Sequence, residues 1–176
     1  MIETARLILR PPQDRDRDAL AAINGDPRVG AWLASALSRE ESDALVDKVC
    51  AHIAEHGWGF WAVERKGDAA VIGMTGLISM SEDLPPGPAV EVGWRLAPDT
   101  WGQGYATEGA QAALDWGFAE LKLPEIIAIT ARTNLRSQAV MRRVGMRPEP
   151  RRDFEHPKLA PDHPLREHVL FSARRP

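Results

Sequence analysis

The chain has 176 residues, 44% of them hydrophobic and 27% charged, with one cysteine and six tryptophans, which is the size and composition of one soluble globular domain. Such a chain buries about 70% of its unfolded surface and needs no staple, while Cys50 alone excludes an internal disulfide and a cysteine-based metal site. Against 22 basic side chains stand 25 acidic ones, a net charge of -3 that disfavours general nucleic-acid binding. No apolar run reaches the roughly 18 to 20 residues that span a bilayer, and the opening Met1-Ile2-Glu3-Thr4-Ala5-Arg6 lacks the order of a secretory signal, so a cytoplasmic protein is expected.

In chain order, Arg6-Leu7-Ile8-Leu9-Arg10 is an apolar run closed by Pro11-Pro12, which cannot donate to a ladder, and it reads as an edge strand. Asp14 or Asp16 is placed to cap a helix carrying Leu20 and Ile23, stopped by Asp26-Pro27. Ser38 and Glu41 stand at capping-box spacing, with Leu45, Val49 and Ile53 following on one helical stripe until Gly57. Phe60–Val63 and Val71–Ile78 are strand-length runs joined by the turn-forming Lys66-Gly67-Asp68, a hairpin. After the proline-rich Leu84–Pro88 comes Ala89–Leu96, whose alternation puts Glu91 and Arg95 on one face. Ala110, Ala113, Leu114, Gly117, Phe118 and Leu121 form one face of a helix ended by Pro124. Ile126–Ala131 is an interior strand, Asn134 caps a helix that closes at Gly145, and His168–Ser172 is the last strand. Prolines 148, 150, 157, 161 and 164 make the segment between them a structured but irregular arm. The order of elements is that of a mixed α/β single domain, residues 1–176.

Trp101-Gly102-Gln103-Gly104-Tyr105-Ala106 lies between a strand and an amphipathic helix, where two glycines let the backbone turn its amides toward an anion at a helix N-terminus. A pyrophosphate suits such a cradle. A tight connection with no ligand fits the same residues. A dinucleotide turn needs a third spaced glycine and a later acidic residue, neither of which is present, and no Gly-Lys-Ser or Gly-Lys-Thr supplies a Walker loop.

The run Trp101-Gly102-Gln103-Gly104-Tyr105-Ala106-Thr107-Glu108-Gly109-Ala110 resembles the acetyl-CoA pyrophosphate loop of the GNAT superfamily of N-acetyltransferases, in particular its RimJ/RimL-type branch. Asn134-Leu135-Arg136-Ser137, followed by Met141-Arg142-Arg143-Val144-Gly145-Met146, is similar to that branch's second motif, and Glu3–Arg10 to its first strand. The resemblance covers essentially the whole chain. It implies a GNAT-like fold: a twisted, mostly antiparallel sheet with a splayed pair of strands and about four flanking helices. It further implies acetyl-CoA as cosubstrate, no metal, an amine acceptor that is either a small molecule or a protein N-terminus, and a homodimer. On matching positions, the amides of Gly102, Gln103, Gly104, Tyr105 and Ala106 would hold the pyrophosphate, with the pantetheine arm along Trp94, Arg95 and Leu96. Asn134 would bond the arm near the thioester, and a backbone N–H around Trp94 would stabilise the oxyanion.

Two departures bear on the chemistry. Trp101 stands where the family often has arginine or glutamine, and Met141 where many members have the tyrosine that protonates the leaving thiolate. Either Ser137 takes that role, directly or through water, or the thiolate leaves without a dedicated acid. An alkyl amine is only roughly 0.1% deprotonated at pH 7, so a base helps, and Glu91 is the candidate; its alternatives are orienting the substrate, pairing with Arg95 or facing solvent. Trp32, Trp58, Trp61 and Trp94 are either pocket walls or core packing. His156, His163 and His168 have no metal-ligand spacing, and Arg142-Arg143 or Arg151-Arg152 is either a phosphate contact or solvated charge. The leading expectation is an acetyl-CoA-dependent N-acetyltransferase acting by direct attack in a ternary complex. The alternative is a non-catalytic acyl-CoA-binding or sensing protein that has kept the cradle.

Overall fold

A computed structural model describes residues 1–33, 35–80, 82 and 84–175. The strands are β1 (Ile2–Glu3), β2 (Leu7–Arg10), β3 (Phe60–Arg65), β4 (Ala70–Met80), β5 (Ala89–Leu96), β6 (Glu125–Ala131), β7 (Arg147–Pro148), β8 (Phe154–Glu155) and β9 (Glu167–Arg174). The helices are α1 (Arg17–Asn24), α2 (Pro27–Gly30), α3 (Arg39–His56), α4 (Tyr105–Glu120) and α5 (Leu135–Arg143). One sheet runs β1-β2-β3-β4-β5-β6-β9-β7, with β8 on β9; the β5–β6 pair is parallel and every other is antiparallel. This is the expected mixed α/β fold, with one short helix more than expected because Asp26 does more than stop α1. Its carboxylate accepts the Arg28 N–H at 2.8 Å and opens the single turn of α2.

Local signals hold best where the chain satisfies its own backbone. Ser38 Oγ accepts the Glu41 N–H at 3.1 Å while Glu41 accepts the Ser38 N–H at 2.7 Å, and Gly57 closes α3 at φ +78°. Three expectations change. β2 is not the outer edge, since β1 covers part of it. Neither Asp14 nor Asp16 caps α1 with its side chain. Asp16 instead takes the Gln13 N–H at 2.7 Å and both terminal guanidinium nitrogens of Arg10 at 2.7 and 2.9 Å, a buried pair that Glu64 extends by accepting from Arg10 Nε. Finally, α4 stops at Glu120, ahead of Pro124, because Lys122 turns left-handed at φ +53°.

The sheet separates two apolar layers. Leu77, Val92, Leu96, Ala110, Ala113, Leu114 and Met141 pack α4 and α5 on one face, while Leu20, Val46, Val49 and Met74 pack α1 and α3 on the other. Between β5 and β6 the sheet comes apart. β5 and β6 pair only at Glu91 and Ile127, and past that point they diverge.

Candidate active site

A cavity of about 1310 Å³ opens in that divergence, running from the N-termini of α4 and α5 through the sheet to the α3 side. Its floor is the free edge of β5. Ala97 donates to Ile72 in the β4–β5 ladder, so by the alternation of an antiparallel pair Arg95, Gly93 and Glu91 also direct their backbone toward β4. Val92, Trp94 and Leu96 therefore face the gap. Val92 lies beside the bridge to Ile127, and the Leu96 carbonyl accepts the Trp101 indole N–H at 2.9 Å, so Trp94 is the residue between them whose backbone faces the gap.

At one end of the cavity, Gly102 and Gly104 adopt φ +78° and +85°, the left-handed region where only glycine is unstrained. No backbone N–H from Gly102 through Thr107 has an acceptor among the described residues, and these amides cluster at the start of α4, whose dipole favours an anion there. Arg136 and Arg143 line the same end, Arg136 lying 5.2 Å over the Trp101 ring. A free strand edge, a run of unbonded amides and two arginines fit the pantetheine arm, pyrophosphate and phosphorylated sugar of CoA. Of the anticipated loop residues Gln103 is not among those lining the cavity, and its side-chain amide donates to the Asp99 carbonyl at 2.9 Å.

The loop is held from a distance. Glu108 accepts from Thr4 Oγ1 at 2.6 Å, the Arg6 N–H at 2.8 Å and Arg6 Nε at 2.7 Å, while Arg6 Nη1 donates to the Gln103 carbonyl at 3.0 Å and its guanidinium stacks 4.4 Å over Tyr105. Burial pushes the Glu108 carboxyl up, but the bonds from Thr4 and Arg6 outweigh it and hold the group below its ordinary range. The stability this contributes is present above the unfolded pKa and lost as pH falls through the folded one. Glu108→Gln should weaken acetyl-CoA binding by about 3- to 10-fold and lower stability by about 1–2 kcal/mol at pH 7. Calorimetry and thermal melts check both, and an unchanged Kd would mean the staple does not shape the loop.

At the far end of α5's first turn, Asn134 Oδ1 accepts the Ser137 N–H and Asn134 Nδ2 donates to Ser137 Oγ, both at 3.1 Å. Asn134 is thereby occupied in its own cap, with one amide hydrogen left for a ligand. Ser137 Oγ accepts that bond and keeps its own hydrogen free among the described residues. Met141 is buried and lines the cavity; the only tyrosine of the chain is Tyr105, the first residue of α4.

Glu91 is the sole carboxylate among the described lining residues. Burial pushes it up to about 7, with a backbone hydrogen bond at Ile129 acting in the opposite direction. Arg95 lies on the same strand face, toward α1, so its side chain leaves the edge on which it was anticipated. Trp32 and Trp94 line the cavity, whereas Trp61 is core, edge-on to Trp116 at 5.3 Å, and Trp58 packs edge-on to His52 at 5.0 Å. His168 reaches the cavity stacked on Phe154, and Arg152 of the C-terminal arm is committed to Glu125 at 2.9 Å.

Comparison with known proteins places these features in a family. Residues 6–147 match the acetyltransferase (GNAT) domain. The chain is 31% identical over 149 residues to the uncharacterised N-acetyltransferase YnaD of Bacillus subtilis, covering 84% of this chain and 83% of that one. Its fold superposes on a GNAT-family acetyltransferase from Bacillus anthracis with a TM-score of 0.82 and 24% identity, covering 99% and 98% of the two chains. It also superposes on spermidine N-acetyltransferase from Vibrio cholerae in complex with CoA and spermine, with a TM-score of 0.76 and 20% identity over 98% and 97%. On these matches the chain belongs to the GNAT family and is an N-acetyltransferase.

Proposed function

We propose that this enzyme transfers the acetyl group of acetyl-CoA to a primary amine by direct attack in a ternary complex, with Glu91 as the base. One observation carries the reading: the cavity's single described carboxylate is tuned to about 7 and sits at the last β5–β6 bridge, where the free strand edge begins. Bound acetyl-CoA supplies an activated acyl carbonyl. The amides of Gly102 to Ala106 hold the anionic end, and the β5 edge at Trp94 and Leu96 aligns the arm. Glu91 draws a proton from the ammonium, directly or through water, and so raises the fraction of neutral nucleophile. The Trp94 N–H, facing the gap, would donate to the oxygen on which charge develops, and a preoriented donor of this kind stabilises charge more than water does. Ser137, its hydroxyl hydrogen uncommitted, relays to the departing sulfur the second proton that the nitrogen sheds after attack, ending as the hydroxyl it began as and replacing the phenol that Met141 cannot supply.

The fold does not select the acceptor. The motif likeness to the RimJ/RimL-type branch supports a peptide N-terminus in the cytoplasm as one acceptor, and a small amine as another. Thiol release measured with acetyl-CoA and a panel of amines tests the reading. CoA should appear only when a primary amine is present, and Ser137→Ala should lower kcat by about 10-fold with little change in KM. Tight acetyl-CoA binding with no turnover on any amine would return the chain to a sensing role.

A further inference from the structure

The cavity wall on the α1–α3 side is basic. Glu91 is its only described acid, whereas the cations Arg95 and Lys48 also line that wall, together with His52, which burial and the neighbouring His56 hold toward its neutral form. Arg95 is the most constrained of these. Its Nη1 donates to Asn24 Oδ1 at 2.8 Å, and Asn24 Nδ2 in turn donates to Ser42 Oγ at 2.8 Å, with Asn24 and Ser42 both buried. Helices α1 and α3 thus hold the guanidinium in place through a neutral relay. No carboxylate among the described residues lies within ion-pair distance of Arg95, whereas the buried Arg10 has Asp16 and the partly exposed Arg17 and Arg152 have Asp47 and Glu125. Desolvation acts on the Arg95 charge with no acid to offset it. A guanidinium offers several donors in a fixed fork, and one bond to Asn24 leaves most of them directed elsewhere.

We propose that Arg95 anchors a carboxylate carried by the acceptor, so that this enzyme acetylates amines bearing an acid group rather than polyamines. This rests on the reading of the cavity as the acetyl-transfer site. The strand geometry supports it: Glu91 and Arg95 share one face of β5, four residues and therefore about 13 Å apart at Cα, with their side chains reaching into the same space. An acceptor lying along that face turns its amine to Glu91 and its acid to Arg95. Fork-to-fork pairing of guanidinium and carboxylate fixes the amine's approach as well as adding affinity. A polycation would bring several positive charges against Arg95 and Lys48 with a single carboxylate among the described lining residues to answer them.

Matched probes test this. Acetyl-CoA binding to the wild-type chain is measured by calorimetry, and then kcat/KM is determined for α-, β- and γ-amino acids, for their primary carboxamides, and for 1,4-diaminobutane. Acids should be preferred over the corresponding amides by about 10-fold or more. Arg95→Gln should bring that ratio to within about twofold, and Arg95→Lys should keep part of it, because an ammonium retains the charge but not the fork. The ratio is taken within one variant, so a general loss of folding or of acetyl-CoA affinity lowers both members alike and cannot produce the result. A wild-type preference for the amide or the diamine, an equal loss on both members in Arg95→Gln, or acetyl-CoA binding with no turnover of either member of any pair would each overturn the assignment. Failure of the wild-type chain to bind acetyl-CoA would strike the acetyl-transfer reading beneath it instead.

Discussion

Replacing Glu91 by Gln should lower kcat/KM by about 100-fold or more and at the same time make the protein more stable at pH 8. The loss follows from the chemistry. Glutamine keeps the shape of the side chain but cannot accept a proton, and a positioned base contributes about 100- to 10,000-fold. Burial places the Glu91 pKa at about 7, against an ordinary 4.5. Activity in the wild type should therefore rise with pH through about 7 as the carboxyl ionises, and Glu91→Gln should lack that limb, retaining only the dependence set by the amine itself. The stability gain has the opposite origin. A carboxyl whose folded pKa is raised stabilises the fold fully below its unfolded pKa, and that contribution is lost as pH rises toward the folded value. Above pH 7 the wild type buries a charge, which costs about 3 kcal/mol from a shift of this size, and the neutral amide avoids it. Melting curves of both proteins at pH 4.5 and pH 8 separate the cases. A gap that opens only at the higher pH supports the buried base; equal activity in the variant would remove Glu91 from the mechanism.

Why Glu91 was visible in the sequence and Arg95's place was not is a matter of range. The alternation of Ala89–Leu96 is local, and the observed β5 has those limits. The same local logic located Ser38 with Glu41, Asn134 with Ser137, and the two glycines of the loop, because each group's partner lies within four residues. The Thr4–Arg6–Glu108 staple joins residues about a hundred positions apart, and the Arg10–Asp16–Glu64 cluster bridges two strands and a helical turn. No periodicity carries such pairings. Strand parity does give Arg95 the face of Glu91, but which helices cover that face depends on the crossing of α1 and α3, and Asn24 and Ser42 read in isolation are only polar residues on helices. The stop of α4 at Glu120, with Lys122 left-handed ahead of Pro124, is a smaller instance: a left-handed lysine leaves no compositional mark.

Gly104→Val should weaken acetyl-CoA binding by about 100-fold, and the reason is backbone geometry rather than obstruction. A Cβ built at Gly104 meets only Arg6 Nη2 at 3.4 Å, an ordinary contact, so a side chain has room. The difficulty is φ +85°, which costs a typical residue about 1–2 kcal/mol and a β-branched one more. Valine relieves this by rotating toward negative φ, which swings the peptides on either side and takes the N–H groups of Gly104 and Tyr105 off the anion. Losing two charge-assisted bonds at about 1.5 kcal/mol each corresponds to the stated loss. Asparagine tolerates the left-handed region, so Gly104→Asn should retain most of the affinity although its side chain is as large as valine's. Calorimetry on the three proteins, with circular dichroism to confirm an unchanged fold, distinguishes the two causes. Equal damage from Asn and Val would mean that bulk at the loop matters after all. Affinity kept by Asn and lost by Val would show that the cradle works because Gly104 lets the chain enter α4 from the left-handed side, with its amides already turned outward.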